Sequence, residues 1–112
     1  MRRWIFLASA LALLAGPLTP NARAADESLE QVLVESATTP QQHAALAGYY
    51  AGKAAAARKD AEYHRAMGKS YGGAKASQLA AMKDHCDKLA TLYDDEAKEY
   101  DAMAAMHRNM AK

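Results

Sequence analysis

Residues 74–110 read AKASQLAAMKDHCDKLATLYDDEAKEYDAMAAMHRNM, a run of 37 residues without glycine or proline. An uninterrupted run of this length predicts a single α-helix of about 55 Å. Large side chains recur along it at alternating spacings of three and four, the pattern of a helix that packs along one seam. The predicted seam consists of Leu79, Met82, Cys86, Leu89, Tyr93, Glu96, Tyr100, Met103, His107 and Met110.

A capping sequence marks the start of another long helix, which lies N-terminal to the helix over 74–110. Thr39-Pro40-Gln41-Gln42 places a hydroxyl at the N-cap, proline at the first helical position and glutamine at the third. Such a capping box satisfies backbone N–H groups that the first turn leaves without partners. We expect a helix over 40–67 that stops at Gly68, where the glycine-rich residues 68–73 turn the chain. With the helix over 74–110 it forms an antiparallel hairpin of the all-α class.

The amino-terminal residues have the pattern of a secretory signal peptide. Basic residues at Arg2 and Arg3 precede an apolar run over 4–15, and Ala22-Arg23-Ala24 supplies small residues for cleavage before Ala25. Residues 1–24 are therefore predicted to be removed, and the protein to be exported to the periplasm or secreted. The apolar run is too short to span a bilayer, so we expect no membrane span after cleavage.

Residues 25–112 are the predicted mature protein, and their composition excludes some functions. Cleavage removes three arginines, so the 14 basic and 13 acidic residues of the whole chain become 11 and 13. A nucleic-acid-binding surface normally needs a basic excess, which this part of the chain lacks. Alanine, the strongest helix former, supplies 22 of these 88 residues and favours long helices. No motif of a known catalytic site occurs, so we expect a protein without enzymatic activity.

The helix over 40–67 has two apolar faces and therefore needs two neighbours. One neighbour is the helix over 74–110. The other is the short amphipathic helix predicted within 25–39, a second copy of the chain, or a protein client. Because two long helices cannot enclose a core by themselves, we expect a homodimer in a four-helix bundle. The predicted association surface consists of Gly48, Tyr49, Gly52, Ala56 and Tyr63.

A repeat of metal-binding residue types suggests an alternative function. Segments of the form [His/Cys]-x-x-[Leu/Met]-[Ala/Gly] begin at His43, His64, Cys86 and His107, with spacings of 21, 22 and 21 residues. Imidazole, thiolate and thioether together suit Cu(I), imidazole and thiolate suit zinc, and haem can also use such ligands. Candidate ligands are Met82, His85, Cys86, Met103, Met106, His107 and Met110, with His43 and His64 as possible additions. Core packing is the competing explanation, since Met and Cys are common in helical cores.

The expected turn fixes which residues of the two long helices lie level with each other. If Met67 and Ala74 bracket the turn, His43 lies opposite Lys98, His64 opposite Ser77, and Cys86 opposite Ala55. Histidine and cysteine then stand at different heights along the hairpin. Cys86 would lie near its middle, where an antiparallel dimer brings it close to its counterpart.

Overall fold

The computed structural model describes residues 22–72 and 77–112. They form three α-helices, α1 (Ala22–Ser36), α2 (Pro40–Tyr71) and α3 (Ser77–Met110), and no strand occurs in these two ranges. The prediction of an all-α hairpin of two long helices is confirmed, since α2 packs against α3 along its length. The apolar run of the predicted signal peptide lies outside the described residues. Within the described part of the chain, no helix is long and apolar enough to cross a membrane.

The capping box at the start of α2 is present. Thr39 has extended backbone angles, and its hydroxyl accepts a hydrogen bond from the N–H of Gln42 at 3.2 Å. The Gln42 side-chain oxygen in turn accepts the N–H of Thr39 at 3.0 Å and that of Thr38 at 2.8 Å. Pro40 occupies the first helical position. These bonds fix the three-residue connection between α1 and α2, and with it the side of the hairpin on which α1 lies.

The predicted end of α2 at Gly68 is wrong. The helix continues to Tyr71, and Gly68 is buried inside it. A Cβ atom at Gly68 would lie 3.3 Å from Cβ of Cys86 and 3.1 Å from Oδ1 of Asp87. The glycine therefore allows α3 to come close to α2, a use of glycine that competes with its use as a helix stop.

Small side chains line the contact between the two long helices. Ala54 and Ala61 on α2 and Ala104 on α3 have no exposed surface. The complete row has a seven-residue spacing and consists of Ala47, Ala54, Ala61 and Gly68 on α2 and Ala90, Ala97 and Ala104 on α3. Because these residues are small, the helix axes can approach closely and dispersion contacts increase.

The predicted seam contains two rows of residues on α3, and only one of them faces α2. The row of Cys86, Tyr93, Tyr100 and His107 does face α2, since Cys86 is buried and the other three stack on rings of α2. The second row does not run through Leu89, Glu96, Met103 and Met110, because the alanine after each of the first three is the buried residue. The larger side chains lie at the edge of the contact, where they do not hold the helices apart.

The predicted register is also wrong. His43 contacts His107 rather than lying opposite Lys98, and His64 stacks on Tyr93. Cys86 lies against Gly68 near the turn, not opposite Ala55, and its side chain is buried. The extension of α2 past Met67 to Tyr71 accounts for part of this shift. The reason for expecting two Cys86 residues to meet across an antiparallel dimer is therefore lost.

Candidate association surface and histidine pair

Acidic residues of α1 hold this helix to one side of the hairpin. Nζ of Lys53 lies 2.9 Å from a carboxylate oxygen of Asp26 and 3.1 Å from one of Glu30. The Tyr49 hydroxyl donates to Asp26 at 3.1 Å, and the Tyr50 hydroxyl donates to Glu30 at 3.0 Å. Asp26 and Glu30 are four residues apart, so they project from the same face of α1. This face, which also carries Leu33, points to the hairpin.

The charges at this contact stabilise one another. Hydrogen bonds from Lys53 and Tyr49 lower the pKa of Asp26. Burial alone would lower the pKa of Lys53, but its hydrogen bonds to Asp26 and Glu30 outweigh burial and raise that pKa. Burial, followed by the hydrogen bond to Glu30, raises the pKa of Tyr50 to about 12. At neutral pH the contact therefore holds a charged lysine, two carboxylates and protonated phenols.

Lys53 also lies between aromatic rings, at the edge of a cavity. Its Nζ is 5.3 Å from the ring centre of Tyr49 and 5.5 Å from that of Tyr100, within the range of cation–π attraction. A cavity of about 340 Å³ separates α1 from α2 and α3, and Lys53, Ala56, Glu96 and Tyr100 line it together with acidic residues of α1. The helix α1 thus lies beside the groove between the two long helices and reaches it with long polar side chains.

Three of the four large apolar side chains of α1 stay in solvent. Val32 is 61% exposed, and Leu29 and Val34 are exposed as well, whereas Leu33 lines a cavity with Leu46 and Tyr49 of α2. The sequence predicts an amphipathic helix here, and the apolar residues of such a helix normally cover a core. In this chain Asp26, Glu30 and Leu33 face the hairpin, and the other apolar side chains of α1 remain exposed.

A second exposed apolar surface follows on the same side of the hairpin, nearer the turn. Leu92 is 64% exposed and Tyr63 is 62% exposed. Leu92 precedes Glu96 by one turn, and Tyr63 follows Ala56 by two turns, so both lie beyond the residues that line the cavity beneath α1. Leu92 shares a shallow surface depression with Asp87, Lys88 and Thr91. Exposed apolar side chains also include Leu79, Met82 and Leu89. The cavity beneath α1 extends into this half as far as Asp60 and Tyr93.

The predicted association surface is partly covered. Tyr49 is half-buried beneath α1, while Ala56 and Tyr63 are exposed. A Cβ atom at Gly48 or Gly52 would meet no atom within 4 Å. The close approach expected at these two glycines therefore does not come from this chain, and it stays a prediction about a partner.

At the open end of the hairpin, two histidines that the sequence places apart come together. Nδ1 of His43, in the first turns of α2, lies 3.0 Å from Nδ1 of His107, near the end of α3. Their ring planes are 24° apart and their centres 5.3 Å apart, so the rings meet through their Nδ1 edges, as in an N–H···N hydrogen bond. The buried Tyr50 ring stacks on His107 at 5.5 Å. Burial, followed by the nearby His43, lowers the pKa of His107.

The other candidate ligands are spread along the hairpin. Met82 and His85 are exposed near the turn, and Met106 and Met110 are exposed at the open end. Met103 packs against the cluster of Leu46, Tyr50 and Ala104. His64 stacks on Tyr93 at 5.5 Å, and its buried Nδ1 has no hydrogen-bond partner. Met82 and Met110 lie about 42 Å apart along α3 at 1.5 Å per residue, so the predicted ligand set does not surround one point. Among the described residues, no group of three or more His, Cys, Asp or Glu side chains could hold a metal ion.

The sequence indicates the histidine pair more clearly than it indicates the contact of Lys53 with α1. The repeat in the sequence singles out His43 and His107, and only the wrong register separates them. The contact of Lys53 with α1 was missed, although Asp26 and Glu30 at i, i+4 hint that one face of α1 is acidic. No protein-family model, no curated protein and no solved structure matches the chain. Function therefore has to be inferred from the geometry of these residues.

Proposed function

We propose that this is a small exported helical protein without enzymatic activity, which acts by association, and that its partner is a second copy of itself. One observation carries the proposal: apolar side chains are exposed on both halves of the side that carries α1. Val32 represents the half that α1 covers, and Tyr63 and Leu92 represent the half toward the turn. Large exposed apolar patches of this kind mark interaction surfaces.

The lengths of the helices suggest how two copies fit. After the predicted cleavage before Ala25, residues 25–36 of α1 span about 18 Å, and the 32 residues of α2 span about 48 Å. Since α1 is tied to Pro40 by three residues and reaches Lys53 with Asp26, it covers the open-end half of α2 and leaves the turn half bare. One side of the molecule therefore has a raised half, which carries α1, and a recessed half that is long enough to receive an α1 helix.

Two such sides are complementary when the copies run antiparallel. The α1 helix of each copy then occupies the recessed half of the other, and the same contacts form twice around a two-fold axis. Val32 of one copy would approach Leu92 and Tyr63 of its partner. The two α1 helices would then lie between the two hairpins, a six-helix arrangement that differs from the four-helix bundle expected from the sequence. A client protein with an amphipathic helix would bind in the same recess.

Burial supplies the free energy for this association. Removing a Val or Leu side chain from water contributes about 1.5–3 kcal/mol, and each contact occurs twice. The polar contact of α1 with its own hairpin does not compete, because it uses the opposite face of α1, with Asp26 and Glu30.

The test is the mass of the exported protein in sedimentation velocity, with substitutions at two positions of α3. Leu92→Glu places a charge in the proposed contact. Ala105→Glu is the control, because Ala105 is exposed as well but lies about 140° around the helix from Leu92. We expect dimers for the native protein and Ala105→Glu, and monomers of unchanged helicity for Leu92→Glu. A native monomer, or equal masses for the two variants, would refute the proposal.

A further inference from the structure

The two histidines at the open end are joined by a single proton. The Nδ1 atoms of His43 and His107 are 3.0 Å apart and lie on the line between the ring centres, which are 5.3 Å apart. One ring therefore carries a proton on Nδ1 and donates it to the Nδ1 lone pair of the other ring. The donor ring keeps a lone pair on Nε2, and the acceptor ring carries its own proton there.

This hydrogen bond is compatible with one added proton but not with two. The first added proton binds Nε2 of the donor ring, and the resulting imidazolium donates a charge-assisted hydrogen bond, which is stronger than a neutral one. The only lone pair then left on the two rings is the accepting Nδ1. A second added proton would therefore turn two N–H groups toward each other at 3.0 Å, between two positive rings. The rings must separate before they can hold it.

The groups around the pair do not neutralise a second positive charge. From α2, the ring of Tyr50 stacks on His107, and the carboxylate of Glu30 on α1 accepts the Tyr50 hydroxyl instead of reaching a histidine. Over residues 22–72 and 77–112, no carboxylate forms a hydrogen bond or an ion pair with either imidazole. The carbonyl end of α3 attracts positive charge, but Arg108 already lies there. Burial, followed by the nearby His43, accordingly lowers the pKa of His107.

The pair connects the two ends of the hairpin. The N–H of His43 donates to the carbonyl of the N-cap Thr39 at 3.0 Å, so this histidine belongs to the first turns of α2. His107 lies in the last turn of α3 and rests on Tyr50, which forms a buried cluster with Leu46 and Ala104. Separation of the two rings would release the start of α2 from the end of α3 and admit water to this cluster.

We propose that His43 and His107 form a pH-sensitive clasp, which holds the open end of the hairpin closed until a second added proton separates the rings. Histidine is the side chain whose charge changes near neutral pH. Because the pKa of His107 is lowered in the folded protein, the stability that its neutral ring contributes is complete above the ordinary value of 6.5. That stability is lost as the pH falls through the lowered pKa. The clasp does not depend on the association of two copies.

The experiment is an NMR titration of the full protein with acid, followed through the imidazole ¹⁵N resonances of His107. His43→Phe keeps an aromatic ring beside His107 and removes the shared proton and the second charge. His64→Phe is the matched control, because His64 is also half-buried and stacks on Tyr93 of α3. We expect His107 to titrate about one pH unit or more higher in His43→Phe than in the native protein, the separation typical of coupled groups. In His64→Phe it should titrate as in the native protein.

Hydrogen exchange of the native protein between about pH 7 and pH 5 tests the opening without a substitution. After correction for the intrinsic exchange rates, amides of residues 43–47 and 104–108 should lose protection, while those around Ala61 and Ala90 keep theirs. His43→Phe should show no such selective loss. Release of α1 cannot account for it, because the ionised Asp26 persists above pH 3.8. An unchanged titration of His107 in His43→Phe, an equal change in His64→Phe, or protection that stays uniform along the hairpin would overturn the proposal.

Discussion

Two contacts in this molecule depend on different interactions: the seam between α2 and α3, and the contact between α1 and the hairpin. The seam is a row of alanines with almost no exposed surface, closed at Gly68 by the approach of Cys86. The α1 contact consists of hydrogen bonds and ion pairs that converge on Lys53. Burial and packing hold most of the first, with the ion pairs Arg58–Asp101 and Arg65–Asp94 at its edge, whereas charge holds the second. The hairpin is therefore the stable body, and α1 is an attachment whose apolar residues stay free for a partner.

The largest expected effect comes from emptying the seam. Tyr50→Ala removes the largest fully buried side chain of the described residues and leaves a cavity between the long helices. We expect a loss of about 3–5 kcal/mol in the free energy of unfolding, the range for aromatic-to-alanine changes in cores. Urea unfolding followed by circular dichroism measures this. Met106→Ala is the control and should change little, because Met106 is exposed and lies outside the proposed dimer contact; similar losses for both would mean that the seam is not the core.

Overfilling the seam should have a smaller effect. Ala54 has no exposed surface, and Ala51 is exposed on the same helix. We expect Ala54→Leu to destabilise the hairpin by about 1–3 kcal/mol, because a leucine forces the closely packed helices apart. Ala51→Leu should leave the urea midpoint nearly unchanged. If Ala54→Leu were as stable as Ala51→Leu, the close approach of the helices at these alanines would be contradicted.

Glycines inside and outside the seam should respond differently to alanine. Gly52 has open space where a Cβ would lie, so Gly52→Ala should stabilise α2 by about 1 kcal/mol through helix propensity. At Gly68 the same change meets Cys86 and Asp87 at 3.3 and 3.1 Å. We expect Gly68→Ala to gain less than Gly52→Ala, or to lose stability. Thermal unfolding of both variants decides this, and an equal gain would show that Gly68 is not needed for the approach of α3.

Acid should release α1 before it affects the middle of the seam. Lys53 and Tyr49 lower the pKa of Asp26 from its ordinary 3.8. The stability that the ionised Asp26 carboxylate gives to the α1 contact is therefore complete above pH 3.8 and is lost as the pH falls through the lowered pKa. Hydrogen exchange at low pH should show α1 amides losing protection while amides around Ala54 and Ala97 keep theirs. This effect on the whole protein is the smallest, because a 15-residue helix is marginal alone and contributes little to the hairpin. If the amides of α1 and of the seam lost protection at the same pH, the two contacts would not differ in their dependence on charge.

The comparison also explains how far the sequence could lead. The start of α2 follows from local chemistry, since Thr39, Pro40 and Gln42 act within one turn. The end of α2 and the register do not, because Gly68 serves a contact with a distant part of the chain. A spacing of three and four fits both Leu89 and its neighbour Ala90, and only the packed structure selects the alanine. The pairing of His43 with His107 depends on that register, and the acidic attachment of α1 depends on where Lys53 lies.

The central claim is that the exposed apolar side chains of α1 bind the recessed half of a second copy. A cross-link between two chains tests this claim most directly. In a Cys86→Ala background, Val32→Cys in one copy is mixed with Leu92→Cys in another under mild oxidation. We predict a disulfide-linked dimer on a non-reducing gel, with little linkage when Ala105→Cys replaces Leu92→Cys, because Ala105 is exposed on another side of α3. Absence of the Val32–Leu92 link, or equally efficient linkage at Ala105, would contradict the proposed contact.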